Sequence, residues 1–551
     1  MLLGIDVGGT HTDAVLIDKN GIKSTFKAKT DTKDLFNTII TALKEVISGV
    51  NVKEIKNINL STTLSTNAII ENKLEKTGLF ISSGPGINPE NFKIGDNTYI
   101  IDGSINHRGS EILKLDTSAL EKDIKACVKD GIKVFAAVTK FSTRNNMQEL
   151  QISDSLKNNG DFITMGHLLS SQLSFPRRAA TAYYNSAVWR INSNFLISVI
   201  DVVKKMGINA PVNILKADGG TIPAEASKSL AVESILSGTA ASVMGITALC
   251  KITDDAVVLD IGGTTTDIAL FASGVPLIEK DGISIGNIPT LVRSLQNRSI
   301  GIGGDSVISI TKGEVKVGPE RKGPSAAEGG TEPTLIDAMN FAGITNHQNK
   351  EKSIEAIKSL SEKNKLSPSD IASKSIDFAV KKIKDEIDRL LFDVNQKPVY
   401  TVHEMLQGRK IIPKKIYIIG GPAKAFEQVL KGDIKIIVPE NHGVANAIGA
   451  TLAKTTFESE LFSDTGKEKM MIPNIGIKEK VSQKYTLKDA EKDLISYTRK
   501  YLENLGYRDS DLNIEVVESS SFRMIEGFYS SGNDIRVKCQ IKPGVMMNLY
   551  K

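Results

Sequence analysis

Short apolar runs and longer amphipathic stretches alternate along most of the chain. Runs at 2–7, 78–82, 133–138, 257–261 and 416–419 predict buried strands. Stretches near 34–48, 118–129 and 366–391 place apolar residues at helical spacing. In the last of these, Ile371, Ile376, Ala379, Ile383 and Ile387 recur close to every 3.6 residues with Asp and Lys outside, so packing alone explains it. Another helix opens at Ser174-Phe175-Pro176-Arg177-Arg178 and carries Ala180, Tyr184, Val188 and Ile191 on one stripe, with Trp189 packed beside it. Strands alternating with helices define an α/β protein. Further on, a helix near 487–505 and strands around 513–518 and 535–541 predict a small separate α+β unit, and residues 456–470, FESELFSDTGKEKMM, read as its linker.

The first strand–turn–strand pattern occurs twice. Residues 3–17 read LGIDVGGTHTDAVLI and residues 258–271 read VLDIGGTTTDIALF. Asp6, Gly8, Gly9, Thr10, Thr12 and Asp13 recur as Asp260, Gly262, Gly263, Thr264, Thr266 and Asp267, each pair 254 positions apart. A bare hairpin turn accounts for paired glycines. It does not account for an aspartate before them and hydroxyls after them in both copies. Glycines let backbone N–H groups approach an anion and threonine hydroxyls add donors, so each turn reads as a phosphate cradle. Mg²⁺ prefers one or two carboxylates with water and phosphate oxygens, and two facing hairpins would bring Asp6 and Asp260 to a shared ion. A nucleotide between two similar lobes is the expectation. Asp13 and Asp267 either orient an attacking group or tie down their hairpins.

Other nucleotide signatures fail: there is no GxxxxGK[ST] loop, and Gly301-Ile302-Gly303-Gly304-Asp305-Ser306 lacks the last glycine of a dinucleotide fingerprint and leads into a strand, VISI. It reads as a glycine turn. Residues 416–426, IYIIGGPAKAF, form a strand ending in Gly420-Gly421-Pro422. Residues 237–249, SGTAASVMGITAL, and 442–454, HGVANAIGATLAK, predict two small-residue helices whose backbones can approach closely at a hinge.

Thr63, Thr66 and Asn67 follow the strand NINL, where ligands bind in open α/β sheets, although the same residues could cap a helix. Two arginines in a first helical turn oppose the helix dipole, so Arg178 either meets an anionic substrate group or belongs to a solvated basic end. Asp218, before Gly219 and Gly220, contacts substrate or makes an Asx-turn.

Composition narrows the classes. With 551 residues, 40% hydrophobic and 24% charged, the chain is long enough for several domains and too apolar for disorder. A net charge of +5 is spread along Lys-rich helices, giving no support for nucleic-acid binding. Cys127, Cys250 and Cys539 are far apart and odd in number, which argues against disulfides or zinc and for the cytoplasm. The first apolar run is too short for a signal peptide, and no run is long enough to span a membrane.

Taken in order, the phosphate loop, connecting helix, second phosphate loop, adenosine-type Gly-Gly loop and second connecting helix resemble the actin, sugar kinase and Hsp70 ATPase superfamily across residues 3–454. Within it the chain resembles the hydantoinase/oxoprolinase family, of the ATP-binding hydantoinase A type. Ser61-Thr62-Thr63-Leu64-Ser65-Thr66-Asn67-Ala68 is similar to the family's GTT-x-ATNA segment, with Ser61 for glycine. Lys216-Ala217-Asp218-Gly219-Gly220 with Val232-Glu233-Ser234-Ile235-Leu236-Ser237-Gly238, Val317-Gly318-Pro319-Glu320 and Pro333-Thr334-Leu335-Ile336-Asp337 are further family-like stretches, and Arg178 matches a family arginine. Two departures touch the substrate side: Gln148 stands where the family has histidine before Glu149, and residues 321–328 have lost a cysteine–tyrosine pattern.

The resemblance implies two RNase H-like lobes with insertions: residues 1–240 completed by 442–455, then 241–441, followed by a linker and small C-terminal unit over 456–551. It implies ATP and Mg²⁺ as cofactors. Gly8, Gly9, Thr10, His11 and Thr12 would face Gly262, Gly263, Thr264, Thr265 and Thr266 across the phosphates, with Asp6 and Asp260 on the metal. Gly420, Gly421 and Pro422 would lie against adenosine, and Gly303 and Gly304 group with the nucleotide contacts. The implied activity opens a cyclic amide such as 5-oxoproline or a hydantoin by phosphorylating its carbonyl oxygen, with Thr63, Thr66, Asn67, Arg178, Asp218 and Gly219 toward the substrate. A second large subunit or self-association is compatible with that reading. A protein-directed conformational ATPase and a small-molecule kinase are the rival readings, since fold alone does not choose among them.

Overall fold

A computed structural model describes residues 1–31, 34–279, 281–396, 410–507, 512–526 and 529–550. The repeat in the sequence is a repeat in topology. In the first large sheet, strands Leu2–Val7, His11–Asp18 and Gly21–Lys29 form an antiparallel meander, and Asn57–Thr62 and Val212–Leu215 extend it parallel to Leu2–Val7. In the second, Ala256–Ile261, Thr266–Ala272 and Val275–Pro276 form the meander, and Lys415–Ile419 and Lys435–Ile437 extend it in parallel. Leu3 and Ile5 bury one face of the first sheet under helices Leu35–Val46 and Phe175–Lys205; Leu259 and Ile261 do the same in the second under helix Pro368–Gln396.

Between Asn57–Thr62 and Val212–Leu215 the chain builds a separate four-stranded parallel sheet, ordered Phe162–Met165, Val134–Thr139, Thr77–Ser82, Thr98–Ile100. Helix Phe175–Lys205 begins beside this sheet and ends on the first. Its predicted stripe is met at Ala180, Tyr184 and Val188, but Ile191 is exposed, because a 31-residue helix leaves one packing surface before reaching the next. Trp189 stacks on Phe162 at 4.8 Å, which is packing as expected.

The predicted linker at 456–470 is instead strand Phe457–Asp464 and the start of Lys469–Ile472. They pair with Ile477–Lys480, Tyr529–Ile541 and Glu515–Glu526 in a five-stranded antiparallel sheet, and helix Leu487–Asn504 packs on it through Ala490 and Leu494. Glutamates and serines hid the strand. Charged partners meet them: Arg293 and, from the neighbouring strand, Lys538 pair with Glu458, and Arg108 pairs with Asp464. Among the described residues no helix is long and apolar enough to cross a membrane.

Helices Ser237–Leu249 and Ala445–Leu452 cross with their backbones in contact. A Cβ on Gly245 would lie 2.1 Å from Ala445 O, and one on Gly449 would lie 2.0 Å from Ala241 O. The second helix also lies on strand Leu2–Val7, where a Cβ on Gly4 would overlap the Thr451 side chain. Its last carbonyls, which no helical N–H can reach, are met by buried Asn59: Nδ2 donates to Ala450 O at 2.9 Å, Thr451 O at 3.1 Å and Ala453 O at 3.4 Å. Asn59→Ala is expected to cost about 2 kcal/mol of unfolding free energy, read from a urea midpoint at unchanged slope. A midpoint equal to wild type would show that water replaces the amide.

Candidate functional site

Both repeated turns are closed in the same way: Gly8 N–H donates to His11 O at 3.0 Å, and Gly262 N–H to Thr265 O at 2.9 Å. Asp6 pairs in register with Asp13, and Asp260 with Asp267. The turns face each other. The point where a Cβ on Gly263 would sit is 3.8 Å from Thr10 Cγ2 and 2.8 Å from Asp305 Oδ2. The backbone of Thr264 packs on Gly303, where a Cβ would lie 2.6 Å from Thr264 N, and Thr265 is exposed. Gly304 and Asp305 donate their N–H groups to Gly262 O and Gly263 O, so the 303–305 segment supports the second turn from behind.

Thr12 and Thr266 are buried and engaged within the scaffold, Thr12 with Thr30 at 3.0 Å and Thr266 with Ile302 O at 2.7 Å. Their hydroxyls build the hairpins and do not face the space between the turns. Gly420 needs glycine: its φ is +95°, and a Cβ would lie 2.2 Å from Ile261 O and 2.9 Å from Asp260 Oδ1. Pro422 lies against Gly304, while Gly421 has open space beside it.

Four carboxylates converge under the turns, in two pairs with unequal support. Asp260 Oδ2 accepts from Ser242 at 2.5 Å and Asn446 at 3.0 Å, and Asp267 accepts from Thr239 at 3.4 Å. Asp13 pairs with Lys27 at 2.9 Å, yet its Oδ1 and that of Asp6 have no hydrogen-bond partner. Burial, then the charges of Asp13 and Asp260, push the Asp6 pKa up to about 7. Burial and then Asp260 push Asp267 up to about 6, and burial raises Asp13 against the pull of Lys27. His11 is shifted downward by burial and then by Lys27. Among the described residues no group of three or more His, Cys, Asp or Glu forms a metal cage. A magnesium–phosphate complex needs only one or two carboxylates, and the unpartnered buried oxygen of Asp6 fits such a cation.

Thr63, Thr66 and Asn67 lie between the first turn and the start of helix Ser237–Leu249. Asn67 Nδ2 is 3.7 Å from the Cβ position of Gly9, Thr66 accepts from Leu236 N–H at 2.9 Å, and Thr63 reaches Val7 O at 3.5 Å without a side-chain cap bond. Asp218 does make the Asx-turn, accepting from Gly220 N–H at 3.0 Å, and it also holds Thr456 and the buried Lys216. Gly8, Thr63 and Asp218 follow the carboxyl ends of three neighbouring parallel strands, the edge where open α/β sheets place ligands.

Arg178 is not a solvated basic end. It is wholly buried, donating to Gln172 O and Thr139 O at 2.8 Å each, beside Glu149. This puts it inside the parallel insertion, bonded to the backbone and closed off from solvent. Burial alone would raise the Glu149 pKa, but His167 at 2.5 Å and the Arg178 charge hold it below the ordinary range. Gln148 is likewise buried, donating to Glu111 and Leu113 O, so its exchange for histidine alters the core of the insertion rather than a substrate surface.

A cavity of about 1160 Å³ lies away from the turns. It opens where the Lys216–Asp218 turn, residues 162–172 of the insertion and the C-terminal sheet meet, with Arg293, Glu458 and Lys538 in its wall. Sequence reasoning found Asp218 but missed Ser242, Asn446, Lys27 and Asp305. Ser242 and Asn446 are polar positions inside the two small-residue helices, and that irregularity was their only signal.

Residues 2–160 match the hydantoinase/oxoprolinase N-terminal region and residues 178–459 match hydantoinase/oxoprolinase. The chain belongs to the hydantoinase/oxoprolinase family. The caprolactamase subunit alpha of Pseudomonas jessenii is 27% identical over 379 residues, covering 61% of this chain and 53% of that protein; the chain thus spans about half of that relative's length. The acetophenone carboxylase gamma subunit of Aromatoleum aromaticum is 22% identical over 543 residues, 85% of this chain and 71% of that one. Two solved structures share the fold: nucleotide-free acetone carboxylase, with TM-score 0.72, 16% identity and coverage of 99% and 88%, and the ATP-dependent caprolactamase of P. jessenii, with TM-score 0.69, 20% identity and coverage of 98% and 87%.

Proposed function

We propose that this protein is an ATP- and Mg²⁺-dependent hydrolase that opens a cyclic amide by phosphorylating the amide oxygen. The observation that carries this reading is the pair of facing Gly-Gly-Thr turns above converging carboxylates. The shared strand order supports two RNase H-like lobes, residues 1–240 with 442–455 and residues 241–441. On this reading, the backbone amides of Gly9 and Thr10 and of Gly263 and Thr264 cradle the phosphates, those of Gly8 and Gly262 being engaged in closing the turns, and Asp6 and Asp260 hold the cation. The bound cation neutralises phosphate charge. Gly420, Gly421 and Pro422 border the adenosine, and the cleft beside Asp218 and Gly219 takes the ring, with Thr63, Thr66 and Asn67 between the two.

Amide resonance makes a lactam carbonyl a poor electrophile. Transfer of the γ-phosphoryl to its oxygen breaks the terminal P–O bond of ATP and releases ADP; one water adds to the carbon and the ring C–N bond breaks with a proton passing to nitrogen, leaving an acyl phosphate that a second water hydrolyses to carboxylate and phosphate. The chain's contribution is alignment and charge placement. The relatives named as subunits support a partner chain as well.

The test is Mg²⁺-dependent phosphate release with 5-oxoproline, hydantoin and substituted hydantoins, with ring-opened product followed by mass. Stimulation by a ring, with one ring opened per ATP, is expected. ATP turnover that responds only to a protein would favour the conformational ATPase, and a stable phosphorylated product would favour a kinase.

A further inference from the structure

The segment that departs from the family pattern, residues 321–328, is held over the turns. Its base is fixed by the buried carboxylate of Asp337, which accepts from Ala326 N–H, Ala327 N–H and Thr334 N–H at 2.9 Å each and from Ser353 at 2.6 Å. From that anchor Glu328 reaches Lys29 of the first sheet at 2.8 Å and His347 at 2.9 Å. At the other end of the segment, Arg321 donates from Nε and Nη2 to one oxygen of Asp305, at 3.2 and 3.1 Å. That same oxygen lies on the second turn, 2.8 Å from the Cβ position of Gly263.

A carboxylate on a turn built to receive an anion opposes the anion. Arg321 is what makes the arrangement tolerable in the empty site, and its guanidinium, 31% exposed, keeps Nη1 free of any hydrogen bond among the described residues. The position is where the two turns meet, which on the reading above is the end of the polyphosphate.

We propose that Arg321 reads the terminal phosphate of a nucleoside triphosphate, exchanging its Asp305 oxygen for a phosphate oxygen when the nucleotide enters. A planar fork of donors suits a phosphate as it suits a carboxylate, and the exchange moves the cation only from one side of the turn to the other. Asp305 is then a positioning residue that stores the arginine at the site. The inference rests on the assignment of the two turns to ATP.

Calorimetric titration of the full chain with ATP analogue and ADP, each with Mg²⁺, separates the two. For Arg321→Ala the dissociation constant of the non-hydrolysable ATP analogue should rise about tenfold or more while that of ADP changes less than about twofold. Arg321→Lys, which keeps charge but not the fork, should fall between. Asp305→Asn, which frees the arginine and removes a negative charge, should bind the ATP analogue more tightly than wild type. Equal losses for both nucleotides in Arg321→Ala, or a loss in Asp305→Asn matching that of Arg321→Ala, would make the pair a structural tie and overturn the proposal. Wild type that binds neither nucleotide would overturn the assignment of the turns themselves.

Discussion

Asp6→Asn is expected to cut Mg²⁺-dependent ATP turnover by roughly 10²- to 10³-fold or more while making the nucleotide-free protein more stable. The two effects have one cause. Asp6 is buried, its Oδ1 lacks a partner, and the neighbouring Asp13 and Asp260 help raise its pKa from 3.8 to about 7. Below about pH 4 the carboxyl is protonated folded or unfolded and costs nothing. Between about pH 4 and 7 the unfolded chain releases the proton and the folded chain keeps it, so stability falls as pH rises through this window. Above it the penalty is complete, on the order of 4 kcal/mol at 1.36 kcal/mol per unit. Asparagine removes the charge, so the stability gain should be present near pH 8 and absent near pH 4. Thermal unfolding at both values checks this. A variant with full turnover, or one destabilised at pH 8, would refute the placement of Asp6 at a cation site.

Gly245→Ala is expected to destabilise the protein by about 3 kcal/mol or more. Helix propensity alone predicts the opposite sign, since alanine in a helix interior is better than glycine by about 1 kcal/mol. Sterics decide. A Cβ at Gly245 would sit 2.1 Å from Ala445 O and 2.7 Å from Ala445 C, both backbone atoms that cannot step aside without parting the helices. Gly449→Ala, facing Ala241 O at 2.0 Å, should behave alike. Chemical denaturation measures both, and stabilisation in either would mean that the crossing is looser than its packing indicates.

The paired hairpins were legible because phosphate chemistry and turn geometry both constrain the same few residues, Asp6 to Asp13 and Asp260 to Asp267. The strands at 2–7, 257–261 and 416–419 were legible because strands buried on both faces are continuous apolar runs. Strand Phe457–Asp464 was not. Its Glu458 and Asp464 pair with Arg293, Lys538 and Arg108, all distant along the chain, and no local window contains them. The burial of Arg178 was hidden too: its partner Thr139 reaches it only once the parallel insertion has folded around the helix start. Asp218 was read as either turn-former or ligand contact, and the structure gives it the turn while leaving its cleft face open.

Helix Ala445–Leu452 has an arrangement of ends with mechanical meaning. Near its start Asn446 holds Asp260 beneath the second turn. Ten residues on, without an intervening loop long enough to absorb strain, Thr456 holds both oxygens of Asp218 at the wall of the large cleft. The helix lies close on Gly245 by backbone contact and on Gly4 through Thr451, so it is tightly seated in its bed. One short, tightly seated element therefore carries a hydrogen-bond partner for a carboxylate at each end, so the position of Asp260 beneath the second turn and that of Asp218 at the cleft wall are referred to a common beam.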